Sequence, residues 1–339
     1  RPGELFLALR GERFDGRDFV SEAFLKGAVC ALVERSAEGA NPSILVRDTL
    51  RALQTLARFH RSRFSIPAVA VTGSVGKTTT KECIGVLLSD VFRVRLGFGN
   101  FNNHIGVPLN LLHLTPEDQC LVLELGASHA GEISLLSRLA QPTVGVITGI
   151  QPAHLEGFGS IDRIYEAKLE LADYLSGTGG AVIASGDDVE LVKRLKEKQA
   201  RVITFGTRRN LDFYLSRLSA RDGTIYFQVN EAIDFRLCGW GGFNALNALA
   251  AIAVAGYFKM DLGALAESWQ TLPAVEGRFE VIRRREPDVL FVNDSYNASP
   301  FAFEQALESF QELAGGRRKI VVVGDMLELG IEAQRFHES

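Results

Sequence analysis

Short apolar runs and segments with helical periodicity alternate along most of this chain, and the pattern predicts an α/β protein. Apolar runs typical of buried strands are followed by stretches whose apolar residues recur every three or four positions. Strands that alternate with helices in this way indicate a parallel sheet with right-handed crossovers. The strands are predicted at 68–71, 121–125, 143–148, 181–184 and 202–205, and the helices at 132–139, 161–175 and 189–197.

The pattern changes on both sides of this region, which predicts three units. Residues 212–237 form short runs of alternating apolar and polar positions separated by turn residues, as in an antiparallel meander. We expect a hinge at 65–67, because Pro67 stiffens the link, and units at 1–64, 65–275 and 276–339. The remaining strands are predicted at 5–9, 29–33, 289–292 and 320–323, and the remaining helices at 19–26, 49–64, 244–258, 262–271 and 301–313. The last unit reads as the start of a second βαβ arrangement.

Composition narrows the class of protein. The 339 residues include 37 basic and 41 acidic side chains, and no basic tract indicates nucleic-acid binding. The four cysteines lie far apart without a CxxC pair, which favours reduced thiols in a cytosolic compartment over disulfides or zinc. No apolar run reaches the ~18 residues that a membrane span needs.

The most informative segment is 68–81, Ala-Val-Ala-Val-Thr-Gly-Ser-Val-Gly-Lys-Thr-Thr-Thr-Lys. An apolar strand ends in a glycine turn that delivers Lys77 and Thr78 to a helix start. Such a loop binds phosphates through backbone N–H groups, while the lysine reaches the outer phosphates and the hydroxyl binds Mg²⁺. Val71 stands where the general P-loop pattern has glycine, so this is a narrower variant. The predicted nucleotide-binding residues are Gly73, Ser74, Val75, Gly76, Lys77, Thr78 and Thr79.

Five further segments carry a family resemblance. They are GNFNNHIGVP at 99–108, ELGASH at 124–129, PAHLEGFG at 152–159, NDSYNA at 293–298 and GDMLELG at 324–330. Together with the phosphate loop they resemble the Mur ligases, the ATP-dependent amide ligases of peptidoglycan precursor synthesis. The resemblance covers almost the whole chain. It implies a UDP-sugar-binding domain at 1–64 with a truncated N-terminus, a central P-loop ATPase domain, and an incomplete Rossmann-like C-terminal domain.

The resemblance also implies a reaction and its participants. The Asn-rich segment and the last two motifs are similar to those of the family member that joins D-Ala-D-Ala to a UDP-MurNAc-tripeptide. This implies ATP, two Mg²⁺ ions and an acyl-phosphate intermediate, in a cytoplasmic bacterial enzyme that is a monomer. Transfer of a phosphoryl group concentrates negative charge, so it requires cations near the reacting atoms.

Three residues are candidate metal ligands beside Thr78. Glu124 follows an apolar strand, and strand carboxyl ends carry sites in open α/β sheets, although a solvated acid is the alternative. By resemblance, His154 binds the second Mg²⁺ and Lys168 is carbamylated to provide an oxygen ligand. Spacing alone favours a structural histidine and an ordinary solvated lysine.

The resemblance assigns further residues to nucleotide and substrates. Asn247 is implied to contact adenine and Arg278 the γ-phosphate. Asp294 is implied to contact ribose, although it could instead cap the helix that begins near Pro300. With Lys77, His154 and Lys168, Arg278 completes the implied catalytic set. The implied substrate contacts are Asn102, Asn103, Ser128, His129, Tyr296 and Asn297.

Three alternatives stay open at this stage. One is that the chain as given binds nucleotide but does not catalyse, because its last unit is incomplete. The chain could be another Mur-type or folylpolyglutamate-type ligase, which would be distinguished by the amine that stimulates phosphate release. It could also be a P-loop nucleotide binder that performs no ligation, whose ATP turnover would be independent of any amine.

Overall fold

The first unit of the computed structural model is a small parallel sheet with flanking helices. The structure describes residues 2–11, 13–36, 42–285 and 289–338. The strands pair in the order β1-β2-β3. The elements are β1 (Leu5–Leu7), a 3₁₀ turn (Gly16–Phe19), α1 (Val20–Leu25), β2 (Cys30–Val33), β3 (Ser43–Leu45) and α2 (Thr49–Ser62).

A large mixed sheet organises the central unit and confirms the predicted parallel arrangement. Its strands lie in the order β12-β11-β10-β9-β8-β7-β4-β6-β5, parallel from β5 to β10, with β11 and β12 added antiparallel. They are β4 (Ala68–Thr72), β5 (Val94–Leu96), β6 (Cys120–Glu124), β7 (Val144–Ile147), β8 (Ala181–Ser185), β9 (Arg201–Gly206), β10 (Phe213–Arg221), β11 (Thr224–Val229) and β12 (Ile233–Cys238). The strands β10–β12 form the predicted meander.

Helices cover both faces of this sheet. They are α3 (Lys77–Leu88), α4 (Gly106–Leu112), α5 (Glu132–Ala140), α6 (Leu155–Phe158), α7 (Ile161–Thr178), α8 (Val189–Glu197), α9 (Asn244–Tyr257) and α10 (Leu262–Ser268). One core joins α3 and α9, and another joins α4, α5 and α7. The helix α9 is buried almost all round, as its nearly uniform apolar sequence requires. None of the helices in the described ranges has the length and hydropathy needed to cross a bilayer.

The third unit differs from its prediction. It contains β13 (Glu280–Arg284), β14 (Val289–Asn293), α11 (Pro300–Ala314), a 3₁₀ turn (Gly330–Glu332) and α12 (Ala333–Glu338). The strand β14 pairs antiparallel with β13, which the sequence did not predict. The predicted strand at 320–323 is wrong: the segment is exposed and has no ladder partner among the described residues. An apolar run becomes a strand only where another strand satisfies its backbone.

The helix α2 packs against the central unit rather than standing apart from it. Ala57 lies in the same core as Leu111 and Leu139. The buried Arg61 donates through Nε to the Ala140 carbonyl at 2.8 Å. The first and central units are therefore joined by a packed helix as well as by the chain.

Candidate active site

The phosphate loop between β4 and α3 requires glycine at two positions. Gly73 and Gly76 have φ values of +141° and +78°. A Cβ at Gly73 would lie 2.1 Å from Thr148 Oγ1, and one at Gly76 would lie 2.3 Å from Asn247 Oδ1. The left-handed backbone and the close neighbours both exclude a side chain, so the loop presents its backbone unobstructed.

The loop is fixed to the segment that follows β7. The Ser74 N–H donates to the Gly149 carbonyl at 2.8 Å, and Ser74 Oγ donates to the Gln151 carbonyl at 2.8 Å. The Thr148 hydroxyl donates to the carbonyl of Val75. These bonds hold the loop in one shape before any ligand binds, which is the condition for efficient electrostatic stabilisation.

Lys77 and Thr78 stand at the first turn of α3, as the motif predicts. Lys77 Nζ donates to the Ser74 carbonyl at 3.0 Å, so the side chain folds back over the loop. Partial burial lowers the pKa of Lys77, while the negative charge of Glu124 opposes that shift. Thr79 follows in the same turn and is partly buried. The start of α3 thus carries a cation directly above the loop.

Glu124, at the end of β6, is buried and forms a polar cluster with the loop. Its Oε2 accepts a 2.8 Å bond from Thr78 Oγ1, and its Oε1 accepts a 2.8 Å bond from Asn102 Nδ2. This excludes the solvated-acid interpretation. A hydroxyl and a carboxylate in contact are the hard oxygen donors that Mg²⁺ prefers, so these two residues fit one Mg²⁺ ion.

Asn103 has a different role in the described contacts from its neighbour Asn102. Its Oδ1 accepts bonds from the N–H groups of Ile105 (3.1 Å) and Gly106 (2.8 Å), which caps the start of α4. A substrate contact for Asn103 stays a prediction. The capped loop in turn places Asn102 against Glu124.

Lys168 is buried, so the solvated-lysine interpretation is wrong. Its side chain projects from α7, Nζ donates to the Ala127 carbonyl at 3.2 Å, and Nζ lies 5.5 Å from the centre of the Phe158 ring. Burial lowers the pKa of Lys168 to about 7, and the positive charge of Lys77 adds to this shift. The chain thus holds a largely desolvated amine near the loop that follows β6.

Two carboxylates brace that loop, which contains Ser128 and His129. Glu132 Oε2 accepts from the N–H groups of Ser128 and His129 at 2.7 and 2.9 Å. Glu170, from α7, accepts from the N–H groups of Gly131 and Ser134. Four backbone N–H groups at the start of α5 are therefore bonded to these two carboxylates, while substrate roles for Ser128 and His129 stay predictions.

His154 lies at the start of α6 and contacts the third unit. Its Nδ1 is hydrogen-bonded to Oε2 of Glu328, a residue for which the sequence predicted no role although it belongs to the motif at 324–330. Within the described ranges, no group of three or more His, Cys, Asp and Glu side chains forms a metal site. The structure therefore joins Thr78 to Glu124 but does not add His154 to that cluster.

Asn247, on α9, lies beside the end of the phosphate loop and the first turn of α3. Its Oδ1 accepts a 3.3 Å bond from Thr80 Oγ1, and its Nδ2 donates to Asn244 Oδ1 at 2.9 Å. Together with the close approach to Gly76, these contacts place Asn247 beside the loop. Contact with adenine stays a prediction.

The third unit brings Arg278 toward the same region. The guanidinium of Arg278 stacks on Tyr296, 4.1 Å from the ring centre. Burial lowers the pKa of Arg278, and the negative charge of Glu124 is near enough to oppose the shift. Arg278 therefore adds a second cation near Glu124 and the P-loop lysine.

Asp294 is held by backbone of the third unit. Its Oδ1 accepts a 2.9 Å bond from the Phe279 N–H, and burial raises its pKa. The alternative that it caps α11 is wrong, because Ser299 is the residue at that N-cap position. Tyr296 and Asn297 are exposed, which leaves them open to a ligand.

Comparisons with known proteins match all three units. Three family models match: the Mur ligase family catalytic domain at 1–61, the Mur ligase middle domain at 71–255, and the Mur ligase glutamate ligase domain at 277–339.

Among curated proteins, the chain is 39% identical to the UDP-N-acetylmuramoyl-tripeptide–D-alanyl-D-alanine ligase of Bacillus subtilis (strain 168), over 99% of this chain and 73% of that protein. It is 36% identical to the protein of the same name from Escherichia coli (strain K12), over 99% and 75%.

Solved structures of MurF proteins are also similar to this chain. A MurF crystal structure from Acinetobacter baumannii matches with a TM-score of 0.90 and 33% identity, over 99% of this chain and 74% of that one. A MurF ligase from Thermotoga maritima, solved in complex with ADP, matches with a TM-score of 0.87 and 35% identity, over 100% and 78%. With a phosphate loop, a buried carboxylate and an approaching arginine in this frame, the chain belongs to the Mur ligase family.

Proposed function

We propose that this chain is an ATP-dependent amide ligase that joins D-Ala-D-Ala to UDP-MurNAc-tripeptide in peptidoglycan precursor synthesis. The observation that carries the proposal is the polar cluster at one preformed phosphate loop: Lys77 folds over the loop and Thr78 bonds to the buried Glu124. The charge of Arg278 lies near the same carboxylate. The relatives from B. subtilis and E. coli bear the name of this reaction, and the T. maritima structure holds ADP.

The reaction has two steps. A carboxylate oxygen of the tripeptide attacks the γ-phosphorus of ATP, and ADP leaves, so an acyl phosphate forms. The amine of D-Ala-D-Ala then attacks the acyl carbon, loses a proton, and displaces phosphate. Lys77 and Arg278 stabilise the negative charge that spreads over the transferred group, and the planar guanidinium can bond two phosphate oxygens at once. Thr78 and Glu124 would hold Mg²⁺, which neutralises phosphate charge when bound.

A second Mg²⁺ held by His154 and a carbamylated Lys168 is part of the proposal. The low pKa of Lys168 supports carbamylation, because only a neutral amine can attack CO₂. The test is Lys168→Ala. Activity should be lost and should recover partly when short carboxylic acids are added; unchanged activity would contradict the role of Lys168.

The remaining predicted contacts complete the proposed complex. Asn247 and Asp294 would contact the nucleoside of ATP. The first unit would bind the UDP-sugar, and the enzyme would act as a cytoplasmic monomer. Asn102, Asn103, Ser128, His129, Tyr296 and Asn297 would contact the tripeptide or the dipeptide.

Phosphate release from Mg²⁺-ATP tests the function directly. It is measured with UDP-MurNAc-tripeptide, with and without D-Ala-D-Ala, together with mass spectrometry of the product. Dipeptide-dependent release and a pentapeptide product are expected, with Glu124→Gln inactive and the exposed Glu117→Gln unaffected as its control. Release that ignores the dipeptide would favour a sister ligase or a nucleotide binder that does not ligate.

A further inference from the structure

The third unit touches the central unit at a second place besides the edge-to-face contact between the Phe279 and Phe243 rings, next to Arg278. Glu328 uses both its side chain and its backbone there. Its Oε2 is hydrogen-bonded to His154 Nδ1, and its carbonyl accepts a 3.0 Å bond from the Glu156 N–H. Gly330 completes the contact, because a Cβ on it would lie 3.4 Å from the Glu156 Cα. One short loop of the third unit thus sits directly on α6.

The backbone on both sides of this contact is unusual. His154 has a φ of +54° and Glu328 a φ of +64°, and left-handed backbone is unfavourable for residues other than glycine. Such conformations persist only where the surroundings impose them. His154 stands directly before the first residue of α6, and Glu328 is held by two bonds, so the surroundings hold both residues in these conformations.

The helix α6 in turn lies against the centre of the candidate site. Phe158 lies over the amine of Lys168, and a Cβ on Gly157 would lie 2.4 Å from the Ser128 carbonyl. A group attached to α6 is therefore attached to the loop that follows β6 and Glu124. The third unit is anchored to the part of the molecule that carries the reacting groups.

We propose that Glu328 is a positioning residue that fastens the third unit to α6 through His154 and so keeps Arg278 near Glu124 and Lys77. The meaning of that placement rests on the proposed function, but the contact itself does not. Because Nδ1 faces Glu328, the bond also leaves Nε2 as the ring nitrogen open to another partner.

The Glu328–His154 contact is partly exposed to water, and this exposure limits how much free energy it contributes. The side chains of Glu328 and His154 are 54% and 27% exposed, and polar side-chain pairs in contact with water contribute little free energy. The contact should therefore bias an equilibrium between attached and detached arrangements rather than lock one of them. Loss of Glu328 should raise the detached population without unfolding either unit.

A distance measurement between the units tests the proposal without relying on catalysis. Spin labels are attached at Lys196→Cys on α8 and Glu304→Cys on α11, after Cys30→Ser and Cys238→Ser remove the accessible native thiols. Distances are measured by pulsed electron resonance on the ligand-free chain. The variants are Glu328→Ala, Glu328→Gln, His154→Ala and the double Glu328→Ala/His154→Ala. Glu332→Ala is the matched control, because Glu332 lies in the same segment but pairs with Arg335.

The expected result is a broader distance distribution for Glu328→Ala and His154→Ala, with no further change in the double variant. Glu328→Gln should restore part of the narrow distribution, because its amide oxygen can still accept from Nδ1–H. An unchanged distribution in Glu328→Ala, or equal broadening in Glu332→Ala, would overturn the proposal. Failure of the ligase assay in a chain with the expected distances would instead count against the proposed function.

Discussion

The phosphate loop and the third unit contribute to one candidate site in opposite ways. Around the loop, Thr72, Glu124 and Lys168 are 0%, 5% and 2% exposed, and the hydrogen bonds of Glu124 and Lys168 go to groups of the central unit. In the third unit, Tyr296 is 48% exposed and Glu328 reaches its partner across a unit boundary. The first set is part of a packed core, whereas the second depends on how two units meet.

We call the residues around the phosphate loop, with Glu124 and Lys168, the permanent region, and the residues of the third unit that reach the site, with Arg278 and Glu328, the conditional region. A group fixed by a buried sheet is in place whenever the protein is folded, so its loss should affect every turnover. A group supplied across a contact is present only in the attached arrangement, as in domain closure generally. Substitutions in the two regions should therefore differ in size and in the quantity that they change.

Removal of the P-loop cation should have the largest effect. Lys77→Ala leaves the loop without the ammonium that lies above Ser74, and the rate of phosphate release should fall by about 10²–10³-fold. Chemical denaturation should show nearly unchanged stability, because Lys77 has little packing role. A rate close to that of the original protein would show that the loop does not act on phosphate.

Gly73→Ala should damage the permanent region through its backbone. The added Cβ would meet Thr148 Oγ1, whose hydroxyl is already committed to Val75, and stability should fall by about 3 kcal/mol. Gly131→Ala is the matched control: its φ is +86° but nothing lies within 4 Å of the new Cβ, so about 1 kcal/mol is expected. Equal losses in denaturant titrations would mean that the close contact is unimportant.

Arg278→Lys probes the conditional region. Lysine keeps the charge but loses both the stacking on Tyr296 and the bidentate geometry, so kcat should fall about tenfold while the KM for ATP changes less. Arg284→Lys, at the end of the exposed β13 ladder, is the control and should be neutral. A change confined to KM would place Arg278 in ground-state binding instead.

The smallest expected effect is the change in the free energy of unfolding with pH that is due to Lys168, a buried residue of the permanent region. Its pKa falls from 10.5 unfolded to about 7 folded, so the unfolded chain binds more protons between these values. Stability should therefore rise with pH across that window, by at most about 1.4 kcal/mol per unit. Lys168→Met should remove this slope when unfolding is followed at pH 7 and pH 9. An identical slope in both proteins would show that residue 168 does not carry a free, desolvated amine, as is also expected where the lysine is carbamylated.

The sequence predicted the permanent region well because its signals are local. The apolar run before Thr72 and the spacing of Gly73, Gly76 and Lys77 define a strand, a turn and a helix within a dozen residues. The burial of Lys168 was missed, although Ile164, Leu171 and Leu175 place it on the apolar stripe of α7.

The conditional region was harder to predict because its signals are not local. No spacing rule connects Glu328 with His154, 174 positions apart in the chain. The apolar run at 320–323 was read as a strand, since periodicity cannot reveal whether a pairing partner is present. The domain boundaries at 64/65 and 275/276 stay predictions.

The packing of α2 on the central unit has a consequence for substrate length. Gln54 Nε2 donates to the His104 carbonyl, so α2 also touches the loop that carries Asn102. Together with Arg61, which bonds to the Ala140 carbonyl, this contact makes α2 a rigid spacer between the first sheet and the phosphate loop. A ligand gripped by the first unit and reacting at that loop must span a fixed gap. We therefore expect this part of the molecule to select substrates by their length.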